Sequence, residues 1–154
     1  MRPGDRLIAA LIGDHRAGDT FAAWPLHVTV VAWFASALPS DVLAQTLAGK
    51  LRGVAPFTAT AGGEQVLGYR NKKTVTMVRT PTPFAKIRRR VVSALDELGI
   101  QPVDVVGSRP YKPHVTVQKD ARLHPGAVFR VERLFIVAQQ GGYKQVAAEV
   151  PLRG

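Results

Sequence analysis

Apolar positions recur along this chain in two rhythms, one suited to strands and one to helices. RLIAALI, from Arg6 to Ile12, is nearly all apolar, has little helical periodicity and stops at Gly13 and Asp14, as a buried strand does. A second strand is expected from about Leu26 to Phe34. Val42, Leu43, Leu47 and Leu51 then fall on one helical face, with Ser40 as the expected N-cap and Gly53 as the stop. FTATA from Phe57 and EQVLGY from Glu64 read as two short strands, and KTVTMVRT from Lys73 as a longer alternating one. After Pro83, the spacing of Phe84, Ile87, Val91, Leu95 and Leu98 predicts a second helix that turns Arg88 to Arg90 outward and ends at Gly99. A sixth strand, carrying His114, should follow. The chain then ends in a hairpin, with RVERLFIVAQ and YKQVAAEVPL flanking Gly141 and Gly142.

Each half of this pattern holds one tetrapeptide strand, HVTV, and one good helix. The first copy is WPLHVTV around His27 and the second YKPHVTV around His114. That separation is too long for a solenoid repeat, and no linker divides the chain. The expectation is a single α+β domain over residues 1–154, built of two pseudo-symmetric lobes: duplicated antiparallel sheets, helices packed outside, and a central cleft.

Composition narrows the chemistry. With no cysteine, disulfides, thiolate metal sites and a cysteine nucleophile are excluded. Lys and Arg number 21 against 11 Asp and Glu, a net charge of +10, which attracts polyanions such as RNA or phosphorylated small molecules; charge kept only for solubility is the plainer reading. LIAALIG is too short to span a bilayer and lacks a cleavage pattern, so a cytoplasmic protein without a membrane partner is expected.

The repeat carries the candidate chemistry. On a strand, His27 and Thr29 project to one face while Val28 and Val30 project to the other, and the same alternation holds for His114 and Thr116. Each motif thus offers an imidazole and a hydroxyl about 7 Å apart along the strand. Two opposed imidazoles suit phosphodiester chemistry, because one neutral ring can accept a proton while the other, protonated, donates one. Threonine hydroxyls can hold the non-bridging phosphoryl oxygens. A single HVTV reads more readily as a polar stripe on a solvated face, but composition does not readily place the tetrapeptide twice among four histidines.

Paired HxTx motifs on strands at this separation resemble the two-histidine (2H) phosphoesterase superfamily. The resemblance is closest to its bacterial RNA 2′,3′-cyclic phosphodiesterases, also called 2′-5′ RNA ligases, and covers nearly the whole chain in element order. It implies a bilobal α+β fold, metal-independent cleavage or transfer at 2′-linked phosphoesters, no cofactor, and a catalytic tetrad of His27, Thr29, His114 and Thr116. Many RNA-active relatives carry an arginine shortly after the second motif, where Gln118 and Lys119 stand here.

Candidate substrate contacts are Arg109, Tyr111 and Lys112 just before the second motif, Lys119 after it, and Trp24 before the first, the last somewhat more readily read as core. GYRNKKT, from Gly68, is a further basic and aromatic cluster, whereas KIRRR reads as the solvated side of a helix. A metal site would need His15 and His124 to join the motif histidines, yet no HxxxH or HxH spacing and no carboxylate beside either motif supports it. The expected partner is RNA or a nucleotide with a 2′-linked phosphate, acted on by a monomer. A binding protein that holds a nucleotide or RNA end without turnover is the alternative.

Overall fold

The computed structural model describes residues 2–102 and 110–154. In chain order they form β1 (Arg6–Leu11), β2 (Thr20–Phe21), β3 (His27–Phe34), α1 (Ser40–Lys50), β4 (Phe57–Leu67), β5 (Lys73–Val78), α2 (Thr82–Glu97), β6 (His114–Thr116), β7 (Val128–Val131), β8 (Arg133–Gln139) and β9 (Lys144–Pro151). The strands make one antiparallel sheet in the order β2-β9-β8-β1-β3-β6-β5-β4-β7. Where the repeat suggests two separate sheets, pairing of Val28 with Val115 joins both halves through β3 and β6. Only Glu132 separates β7, at one edge, from β8 near the other, so the sheet curls until those strands nearly meet.

Alternation along the strands sorts two cores. Val28, Val30, Val115, Ile136 and Val150 share one cluster with Leu43 and Leu47 of α1 and with Phe84, Ile87, Val91 and Leu95 of α2. Leu7, Ala9, Leu11, Phe135 and Val137 form a smaller cluster with Phe21, Trp24 and Trp33 against it. β1 and β8 are therefore covered on both sides, which is why RLIAALI shows no strict alternation.

Some boundaries differ from expectation. The N-cap of α1 is Pro39, with no side-chain cap, and Ser40 is already helical. Val42 is exposed, because the buried stripe runs through Leu43, Leu47 and Leu51 at intervals of four. FTATA and EQVL are one strand, β4, whose register slips between Ala61 and Glu64; the Gly62–Gly63 pair takes up the extra residue. RVERLFIVAQ breaks at Glu132 into β7 and β8, which serve different parts of the sheet. α2 ends as predicted, with Gly99 at φ +74° and its N–H on the carbonyl of Asp96.

Candidate active site

Antiparallel pairing of Val28 with Val115 determines where the polar halves of both motifs lie. Both valines enter the helix-side core, so their neighbours face the other way. One step along the ladder from that pair, His27 comes opposite Thr116 and Thr29 opposite His114. Directly opposed residues have Cβ atoms about 5 Å apart and diagonal ones about 7–8 Å, so the two imidazoles sit on one diagonal of a compact rectangle and the two hydroxyls on the other. The four residues thus share one face of adjacent strands.

Both rings are held alike. His27 Nδ1 lies 2.8 Å from the carbonyl of Pro25, and His114 Nδ1 lies 2.7 Å from that of Lys112. A carbonyl only accepts, so each Nδ1 carries the proton and each Nε2 is left as the nitrogen that can exchange one. The shared feature before each motif is thus a carbonyl two residues upstream, and Pro25 and Pro113 occupy different offsets from their histidines.

The surroundings are less symmetric. Trp24 stacks on His27 with ring centres 4.2 Å apart, and it is itself braced by Phe21 and Trp33. Burial pushes the His27 pKa below 6.5; the bond to the Pro25 carbonyl works against this, and the charge of His114 adds to it.

Each directly opposed pair opens into its own cavity. His27 and Thr116 line one of about 480 Å³ with Trp24, Lys73 and Gln118. Thr29 and His114 line one of about 520 Å³ with Arg88, Tyr111 and Lys112. A groove of about 710 Å³ along α2 is larger, but it meets the motif cavities only at Arg88 and Tyr111 and contains neither histidine.

The structure places Trp24, Tyr111 and Lys112 against the motif residues. Tyr111 is anchored, its hydroxyl donating to the Thr29 carbonyl at 2.8 Å. Lys119 is exposed and lines neither cavity; Gln118 lines one instead. Arg109 lies outside the described residues. His15 stands apart, its Nε2–H on the Ile12 carbonyl at 3.1 Å and its ring edge-on to Phe135. Among the described residues, no three His, Asp or Glu side chains gather as a metal site, and no helix is long and apolar enough to cross a membrane.

Two contributors escape the sequence reading. Arg88, expected on a solvated face, places its guanidinium 4.7 Å from the centre of the Tyr111 ring and donates from Nη1 to the Val30 carbonyl at 2.6 Å. That carbonyl is available because the β1–β3 register slips between Ile8↔Val31 and Ala9↔Thr29, making Val30 the extra residue of a bulge. The available signal was position: Arg88 follows Phe84 by four and so borders the buried stripe of α2. Lys73 begins β5, as the alternation predicts, but its place in the His27–Thr116 cavity, two residues before the partner of Thr116, follows only from the β5–β6 pairing.

A family model described as the 2′-5′ RNA ligase superfamily matches residues 4–142, most of the chain. The chain belongs to the 2′-5′ RNA ligase superfamily. Its place among the 2H phosphoesterases is thereby established, and with it a phosphodiesterase or ligase type of activity. TT0787 of Thermus thermophilus has the same fold, with a TM-score of 0.65 at 18% identity over 97% of this chain and 98% of its own. LigT of E. coli complexed with 3′-AMP gives 0.64 at 21% identity over 99% and 97%. Usb1 of Kluyveromyces marxianus gives 0.54 at 13% identity over 97% and 99%. No curated protein matches by sequence.

Proposed function

We propose that this 2′-5′ RNA ligase superfamily member hydrolyses 2′,3′-cyclic phosphates, or the related 2′-5′ phosphodiesters, of RNA or nucleotides by two-histidine acid–base catalysis. The observation that carries the reading is the Val28–Val115 pair, which sets His27, Thr29, His114 and Thr116 on one face with both Nε2 atoms available. That LigT is found complexed with 3′-AMP, NADP+ and ATP supports a nucleotide ligand.

In ring opening, the Nε2 of one neutral imidazole takes a proton from water as the water oxygen bonds to phosphorus. The bond from phosphorus to the 3′ oxygen breaks, and the Nε2–H of the other, protonated ring passes its proton to that oxygen, leaving a 2′-phosphate. The lowered pKa of His27 favours it as the acceptor and His114 as the donor. Thr29 and Thr116 donate hydrogen bonds to the non-bridging oxygens, where negative charge is held. Trp24, Lys73, Tyr111 and Lys112 form the walls that receive the nucleoside and its phosphate. The two motif strands, related about their central pair, are read as duplicated halves of one lobed domain. A cytoplasmic monomer completes the proposal, tested by cell fractionation and light scattering.

The test incubates the purified protein, with and without a chelator, with an oligonucleotide ending in a 2′,3′-cyclic phosphate. Ring opening to a 2′-phosphate is expected in both arms and should be lost in His27→Ala and His114→Ala. Equal turnover by all three proteins sinks the reading, whereas binding without turnover by the unaltered protein identifies a binding module.

A further inference from the structure

We propose that the hairpin joining β4 to β5 is a second binding element, one that grips a single-stranded oligonucleotide beyond the reacting phosphate. The inference rests on the reading above only in taking the ligand of the cleft to be part of a phosphodiester chain.

Residues 68–72 read GYRNK, an aromatic ring and two cations with no acidic residue between them. Tyr69 is 77% exposed, so its ring packs against little of its own protein. The turn is nonetheless well defined. Leu67 pairs with Lys73 across its base, and Gly68 adopts φ +110° where an added Cβ would lie 2.5 Å from the carbonyl oxygen of Asn71. Only glycine fits there, so the turn presents Tyr69, Arg70 and Lys72 in a constrained arrangement.

Placement gives the cluster its meaning. Leu67 and Gly68 line the Thr29–His114 cavity, while Lys73 and Thr74 line the His27–Thr116 cavity. A strand leaving either half of the site therefore meets one shoulder of the hairpin. An exposed ring on which bases stack, beside cations that follow the backbone, is the combination that holds single strands without reading sequence. A duplex keeps its bases stacked within itself and offers Tyr69 no free face. The net charge of +10 draws the same ligand toward this surface. The expected consequence is selectivity for oligonucleotides over mononucleotides carrying the same terminal phosphate.

Two measurements test this. The first compares kcat/KM for a short oligonucleotide and for a mononucleotide, each with a 2′,3′-cyclic phosphate. The second follows the binding of a fluorescent single-stranded oligonucleotide ending in a 3′-phosphate, at several salt concentrations. Tyr69→Ala should raise KM and Kd for the oligonucleotide roughly tenfold, and Tyr69→Trp should restore them. Arg70→Gln combined with Lys72→Gln should flatten the dependence of log K on log salt by roughly 0.7 for each phosphate that is no longer neutralised. If the unaltered protein turns over neither substrate but these variants still weaken binding, the cleft reading falls and the hairpin stands. If the oligonucleotide is turned over and all variants leave its KM, Kd and salt slope unchanged, the hairpin is a solvated loop and the proposal is overturned.

Discussion

His27 and His114 share a tether but not an environment. Each is held through Nδ1 by a carbonyl two residues upstream, yet His27 also lies under Trp24, which keeps water from it. Between the lowered folded pKa and the unfolded value near 6.5, the unfolded chain binds a proton that the folded chain refuses. Stability contributed by neutral His27 is thus present above pH 6.5 and lost as the pH falls through the window below it. Trp24→Leu should return the pKa of His27 toward 6.5, observable in the NMR titration of its ring protons, and should move the acid limb of kcat/KM to higher pH. Removing either imidazole should cost roughly 10²–10⁴-fold in kcat. Thr29→Ala or Thr116→Ala should cost up to about 10²–10³-fold, by analogy with the loss of one oxyanion donor, and single-turnover rates provide the check.

At the scale of elements, Arg88 connects the helix layer to the site. Its guanidinium lies over Tyr111 while reaching the bulged Val30, and Tyr111 in turn holds the backbone of Thr29. Arg88→Lys supplies one compact ammonium that cannot do both. It should lower stability by about 1–3 kcal/mol, read from urea unfolding, because the Val30 carbonyl loses its charged donor. Both helices and most strands were legible in the sequence, since Phe84, Ile87, Val91 and Leu95 are buried for the reason their spacing implies. The four motif residues were legible as a set for a similar reason, as strand alternation puts each pair on one face. What stayed hidden depends on partners far along the chain. The bulge at Val30 needs β1, the break at Glu132 needs two different neighbours, and the reach of Arg88 needs both the bulge and Tyr111. Lys119 shows the converse, being near the motif in sequence yet outside both cavities.

For the whole molecule, the union of both halves at Val28 and Val115 predicts shared fate. The larger core draws from α1, α2 and both sides of that seam, so the two halves share it, and only the smaller cluster belongs to the β3 side alone. Urea unfolding followed by tryptophan fluorescence and by far-ultraviolet circular dichroism should give coincident single transitions. Fluorescence reports chiefly on the His27 side, where Trp24 and Trp33 lie, so two separated transitions would show the lobes to be independent.

The same topology sets a schedule for the newborn chain. β1 is made before the other strands described, but its two partners are β3 and β8, and β8 ends only at Gln139. His27 likewise waits for β6 before Thr116 stands opposite it. Prematurely terminated products therefore lack a complete site and expose an unpaired strand edge, the feature that invites aggregation. Activity thus begins only after β6 and β8 have both been made, since one completes the site and the other covers the open edge of β1.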